Sequence, residues 1–256
     1  MIHLQHAVKT GPVVARFLLL FLLLASLPDT GTLPAWSQEG SLELYQDDDS
    51  WLTPELLRVR TLIRANVLGL AESILETQGP PILPTSQWLS WERQLWSLYA
   101  SRDKWQVLFQ RTRQVPPSFP PFIRREAGLV AVTALVELQQ GLRARQILRG
   151  QLLAMESTDL AKRKLRKLLV ESYLADDLLG DAGITMQRYQ MDYRSQEEDW
   201  LFLSARVYMQ LGDLDNAINL LAPLDKPRAR LLGIYARLKN GTMTTQQALQ
   251  RTTSLS

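Results

Sequence analysis

From Thr53 onward, apolar residues recur at the spacing of a helix face. Thr53-Pro54-Glu55 supplies an N-cap, a proline for the first helical position and an early acid. Leu56, Leu57, Val59, Leu62 and Ile63 then form a stripe of 3.6-residue period, and similar stripes continue to Leu249. No long alternating strand pattern interrupts them. The breaks fall at Gly79-Pro80-Pro81, Pro116-Pro117, Pro120-Pro121, Gly141, Gly180, Gly212, Pro223 to Pro227, and Gly241. The segments between them have the length of ordinary helices, so the pattern predicts an all-α domain over 53–256.

The breaks also predict that the helices come in pairs. A small or short-packing position early in each second helix is expected at Ala71, Lys104, Ala144, Gly183, Ala217 and Ala248, at intervals of 33, 40, 39, 34 and 31 residues. Self-similarity at that period is the mark of stacked helical hairpins. One hairpin cannot bury its own apolar stripe, and neighbours that stack share a continuous core.

The clearest unit runs from Asp199 to Pro227. Trp200, Leu203, Val207 and Tyr208 line its first helix around the small Ala205. Leu211-Gly212-Asp213 makes the turn, Ala217, Leu220 and Leu221 continue the second helix, and Pro223 and Pro227 close it. This unit resembles the tetratricopeptide repeat. The other units are degenerate: Trp88 to Gln114 lacks the turn glycine, and Lys226 to Thr253 has an atypical Lys239-Asn240-Gly241 turn. The resemblance implies a right-handed superhelix, a solenoid of about five to six irregular tetratricopeptide-like hairpins. It also implies that first helices line a concave face that takes a protein or peptide partner.

The segment before Thr53 reads differently. Lys9 and Arg16 precede FLLLFLLLASL, Phe17 to Leu27, with no acid before Asp29. A basic start and an apolar run of eleven, against the ~20 residues a spanning helix needs, is the pattern of a secretory signal. Ala35-Trp36-Ser37 places cleavage after Ser37, giving a signal peptide over 1–37; an uncleaved signal anchor in the inner membrane is the alternative. Residues 38–52, with Asp47-Asp48-Asp49, read as a flexible acidic lead-in, since the triplet lacks the glycine and distal glutamate of a calcium loop. The polar 242–256 stretch reads as a closing cap or as the start of a continuation in another chain. The expected location is periplasmic, with no permanent membrane span once the signal is removed.

Composition narrows the chemistry. There is no cysteine, and the two histidines, His3 and His6, both lie in the signal. Disulfides, thiolate metal sites, cysteine nucleophiles, histidine bases and histidine metal sites are therefore absent from the mature chain. No cofactor and no metal site are expected. The net charge of +3 comes from 29 basic and 26 acidic residues that are interspersed, and no nucleic-acid module is recognisable.

Two sets of residues remain as candidates for partner binding. Lys162, Arg163, Lys164, Arg166 and Lys167 lie opposite the apolar face of LAKRKLRKLLVESYL. On a first helix they would give a positive inner groove suited to an acidic peptide or an anionic polymer, and Arg143, Arg145 and Arg149 would extend it. Trp88 and Trp91 share a helix face with Leu95, Trp96 and Tyr99, which predicts core packing with an aromatic platform as the alternative.

Glu171-Ser172-Tyr173 with the later Gly180, Gly183 and Met186-Gln187 is faintly similar to the signature of lytic transglycosylases. The spacing is two residues short. The cationic helix around Glu171 is expected to lower its pKa, against the needs of a general acid. The chain also resembles, in architecture, the superhelical N-terminal region of periplasmic members of that family. The expected function is an exported, non-catalytic adaptor or scaffold of the bacterial cell envelope. The alternative is a peptidoglycan-associated part of a lytic transglycosylase system.

Overall fold

The computed structural model describes residues 53–77, 85–153 and 159–253. The predicted signal peptide, the acidic lead-in and the Gly79-Pro80-Pro81 break lie outside the described residues. Within them the chain is all-helical: α1 Pro54–Arg64, α2 Leu68–Thr77, α3 Thr85–Ser101, α4 Trp105–Thr112, α5 Pro121–Glu137, α6 Gly141–Leu153, α7 Asp159–Leu174, α8 Leu179–Tyr193, α9 Glu198–Leu211, α10 Leu214–Leu221, α11 Pro227–Lys239 and α12 Thr245–Thr253. Every helix packs on the next one. In addition, α3 packs on α5, α5 on α7, and α7 on α9.

Local chemistry sets the helix ends. Thr53 caps α1 through its Oγ1, which accepts from the Leu56 amide at 3.3 Å, and Pro54 occupies the first turn. Asp213 caps α10 in the same way, accepting from the Asn216 amide at 3.3 Å.

One backbone device recurs at every hairpin turn. Asn66, Asp103, Gln139, Asp177, Gly212 and Gly241 all have left-handed φ, between 53° and 84°. The amide after each donates to the carbonyl five residues back: Val67 to Leu62, Lys104 to Tyr99, Gln140 to Leu135, Leu178 to Tyr173, Asp213 to Tyr208 and Thr242 to Arg237, at 2.8 to 3.0 Å. This is the 6→1 bond of a Schellman turn, which satisfies a carbonyl that the ended helix leaves open. The turns are 37, 36, 38, 35 and 29 residues apart.

This phase corrects three expectations. Gly141 and Gly180 are not the turn residues; Gln139 and Asp177 are. The Lys239-Asn240-Gly241 turn is not atypical, because it makes the same bond as the others. Lys104 and Gly183 are not the equivalents of Ala71: the residue five past each of the first five turns is Ala71, Leu108, Ala144, Ala182 and Ala217, each 0% exposed, while Gln246, five past Gly241, is exposed. Asn and Asp reach the left-handed region because a short polar side chain tolerates it, so glycine was not needed as a marker.

The same phase organises the core. Seven residues before each turn stand Val59, Trp96, Val132, Val170, Ala205 and Ile234, all buried. Neighbouring hairpins are joined just before the turn. Arg102, with Lys104, reaches back to the buried Glu72 of α2. Asp176 accepts from Arg145 Nη2 at 2.6 Å and from the Gly141 amide at 2.9 Å, while Arg145 Nη1 donates to the Ser172 carbonyl at 2.7 Å. Leu211 lies against Gly183, and Asn240 donates to Asp215 at 2.7 Å. Gly141 is required by this contact, because a Cβ there would stand 2.0 Å from the Ser172 carbonyl oxygen.

Candidate functional site

Helix α7 is the first helix of its hairpin, the position at which the five basic residues were expected to line a groove. All five are half-buried. Three of them already have acidic partners on α8 or in the linker that follows it. Arg166 pairs with Asp192 of α8, Lys167 pairs with Glu197 of the α8–α9 linker, and Arg163 lies 3.8 Å from Glu197. The Arg163 and Arg166 guanidinium groups also stack on Tyr193, at 4.9 and 5.5 Å from the ring centre. Lys164 faces the other way. Burial pushes its pKa down, opposed by Glu126 of α5. Arg145, expected to extend the patch, is instead buried at the α6–α7 junction, whereas Arg143 and Arg149 are exposed.

The aromatic face belongs to the core. Trp91 is 4% exposed, and its indole N–H donates to the Leu75 carbonyl at 2.9 Å. Trp88 is half-buried, edge-on to Phe119 at 4.7 Å and to Trp96 at 6.5 Å. Trp88 therefore keeps an accessible edge, and Trp91 has none.

The turn phase brings out a stripe that the sequence did not reveal. Six residues before successive turns stand Ser97, Thr133, Glu171, Arg206 and Tyr235; thirteen before them stand Ser90, Glu126, Lys164, Asp199 and Arg228. All belong to first helices, and among the five in the nearer row none is fully buried. In the farther row the charge alternates from helix to helix, Glu126, Lys164, Asp199, Arg228. Glu126 is held by Arg93 in a two-pronged pair at 2.6 and 2.7 Å. Lys226 holds Glu198 and Asp199, each at 3.2 Å.

Glu171 sits midway along this stripe, and its pKa direction is a second correction. Burial raises it, and the Arg206 charge, which pulls the other way, does not offset this; Glu137 raises it further. Burial likewise raises Glu137, against Arg206. By surface exposure Glu171 is half-buried and Glu137 is more open to solvent. The basic residues next to Glu171 in sequence matter less than its burial, since Arg163 and Arg166 turn toward α8.

Among the described residues no group of His, Cys, Asp or Glu is arranged to hold a metal ion, and no helix is long and apolar enough to cross a membrane. Comparison with known proteins returns no match from protein-family models, curated proteins or solved structures.

Proposed function

We propose that this protein is a non-catalytic helical-repeat scaffold of the bacterial cell envelope, exported by its N-terminal signal. Its first helices form the concave side of a tetratricopeptide-like superhelix and bind a protein or peptide partner there. The observation that carries this reading is the phased stripe. The first helices α3, α5, α7 and α9 pack one on the next, and with α11 they present Ser97, Thr133, Glu171, Arg206 and Tyr235 at one register position, only partly covered. A row of half-exposed polar groups at a constant repeat position is what a solenoid offers to an extended ligand. Arg163 and Lys167 support it by tying α7 to the linker that leads into the next hairpin, and Arg166 by tying it to α8. Lys162, Lys164 and the edge of Trp88, all half-buried, are the further contacts on that side.

The test is to identify a partner by cross-linking in the intact envelope, purify it and measure its affinity. The variant R206E/E171K reverses two neighbouring stripe charges, and R149E/R188E reverses exposed charges on second helices. Affinity that falls at least tenfold for the first pair and stays within twofold for the second supports the reading. Equal effects remove it.

The raised Glu171 carboxyl favours a second reading, the peptidoglycan-associated part of a lytic transglycosylase system, because a general acid needs that direction of shift. Co-sedimentation with insoluble peptidoglycan at low salt separates the two. Retention that E171Q leaves intact but stripe reversal abolishes indicates carbohydrate binding, and no retention removes this second reading.

A further inference from the structure

Two adjacent hairpins fill the same slot in different ways. In α3–α4 the positions eleven before the turn and eight after it are Glu92 and Arg111. Glu92 is 2% exposed, and Arg111 Nε lies 3.0 and 3.1 Å from its two oxygens, so an ion pair occupies the space between the helices. In α5–α6 the equivalent positions are Gly128 and Ile147. No charged pair is present, and a side chain is missing on one side.

A cavity of about 300 Å³ opens at this place, with Phe109, Val115, Ala127, Gly128, Ala131 and Ile147 among its walls. Its floor is apolar, but two arginines, Arg113 and Arg124, stand at its edge. Both are exposed. The Arg113 guanidinium lies 6.0 Å from the Phe109 ring centre, and Arg143 approaches the same ring at 4.8 Å. The acid that α5 carries nearby, Glu126, is already taken by Arg93. The site therefore combines an apolar recess with uncompensated positive charge at its mouth. Gln151 lies over Gly128 and donates to the Arg125 carbonyl at 3.2 Å; it is a flexible side chain that an entering group can displace.

We propose that this cavity binds a small amphipathic anion, with a compact hydrocarbon group in the recess and a carboxylate between Arg113 and Arg124. The volume is at the lower end for ligand pockets, which suits a short chain or one ring rather than the full acyl chains of a membrane lipid. The apolar part gains by leaving water, and the arginines give the fork geometry that pairs with a carboxylate. This site is separate from the stripe on the first helices and stands or falls independently of it.

The experiment is an amide-resolved NMR titration of the full chain with sodium octanoate, with 1-octanol as the uncharged control. The expected result is saturable shifts at Phe109, Gly128, Ala131 and Ile147, with octanoate at least tenfold tighter than octanol. The exposed pair R113Q/R124Q should weaken octanoate at least tenfold and leave octanol unchanged. G128L, which fills the recess, should remove both; if it does not fold, R113Q/R124Q alone decides. No saturable shift at these amides, or equal octanoate affinity in the wild type and R113Q/R124Q, overturns the proposal.

Discussion

The first half of the helical domain and the second solve the same packing problem with different materials. From α1 into α7 one continuous core runs from Leu56 to Leu168 and contains Trp91, Trp96, Tyr99 and Phe109. Charged groups are embedded along it: Glu72, Glu92 and Arg145 are each below 8% exposed and each is paired. From α7 to α12 the core divides into smaller clusters, around Tyr189 and Trp200, around Ala205, Ala217 and Ala236, and around Ile234, Met243 and Ala248. Bulky rings with ionic struts keep helices in place by filling space between them. Alanine at the contact lets the helices approach closely, which leaves less apolar area to bury per hairpin. The comparison teaches that a shared turn phase does not require shared packing, and that the two halves should differ in local stability.

The largest effect is expected from the two buried indoles. Trp96→Ala and Trp200→Ala each remove a fully buried ring, at a cost of about 3–5 kcal/mol. Trp96→Ala should lower protection from hydrogen exchange throughout α1–α7. Trp200→Ala should expose α8–α12 while α3–α6 stay protected. Identical exchange patterns for the two variants would break the comparison. Next is Arg145→Ala, which leaves Asp176 at the α6–α7 junction without its charged partner. Removing one member of such a pair costs about 3 kcal/mol, and chemical denaturation should show it. Arg145→Met with Asp176→Leu tests whether the strut is needed at all: recovery of most of that loss means shape suffices.

Gly141→Ala should cost about 1–3 kcal/mol by pressing a methyl into the Ser172 carbonyl, read as a lower Tm. A loss of that size sharpens the assignment of this junction as the closest approach between hairpins. The smallest effect concerns pH. The folded pKa of Glu171 lies above its unfolded value because burial favours the neutral form. The folded state thus holds the proton more tightly, and stability falls as pH rises from the ordinary carboxylate range through the raised value. Glu171→Gln should stabilise the protein at neutral pH and make no difference below the ordinary range. A uniform effect at all pH values would show that the burial described for Glu171 is wrong.

The helices were legible in the sequence because their signals are local: the Thr53 cap, the period of Leu56, Val59 and Ile63, and the Leu211-Gly212-Asp213 turn. The phase of the weaker hairpins was not. Asp103, Gln139 and Asp177 hold the left-handed turn conformation without a glycine, so nearby glycines drew attention instead. An error of a few residues then placed Lys104 where Leu108 is packed, and hid the stripe containing Thr133, Glu171 and Arg206. The partners of the basic helix were hidden for another reason. Asp192 and Glu197 lie 26 and 30 residues from Arg166 and Lys167, and only the folded hairpin brings them together.

The contact just before each turn has a consequence for how the molecule responds to its surroundings. At Arg102 and at Asp176 the link to the preceding hairpin is ionic, and at Leu211 it is a leucine against a glycine. Dissolved salt screens the first kind, and strongly hydrated anions strengthen the second. Joints of both types occur along one chain. A change of ionic medium is therefore expected to weaken some articulations while it strengthens others.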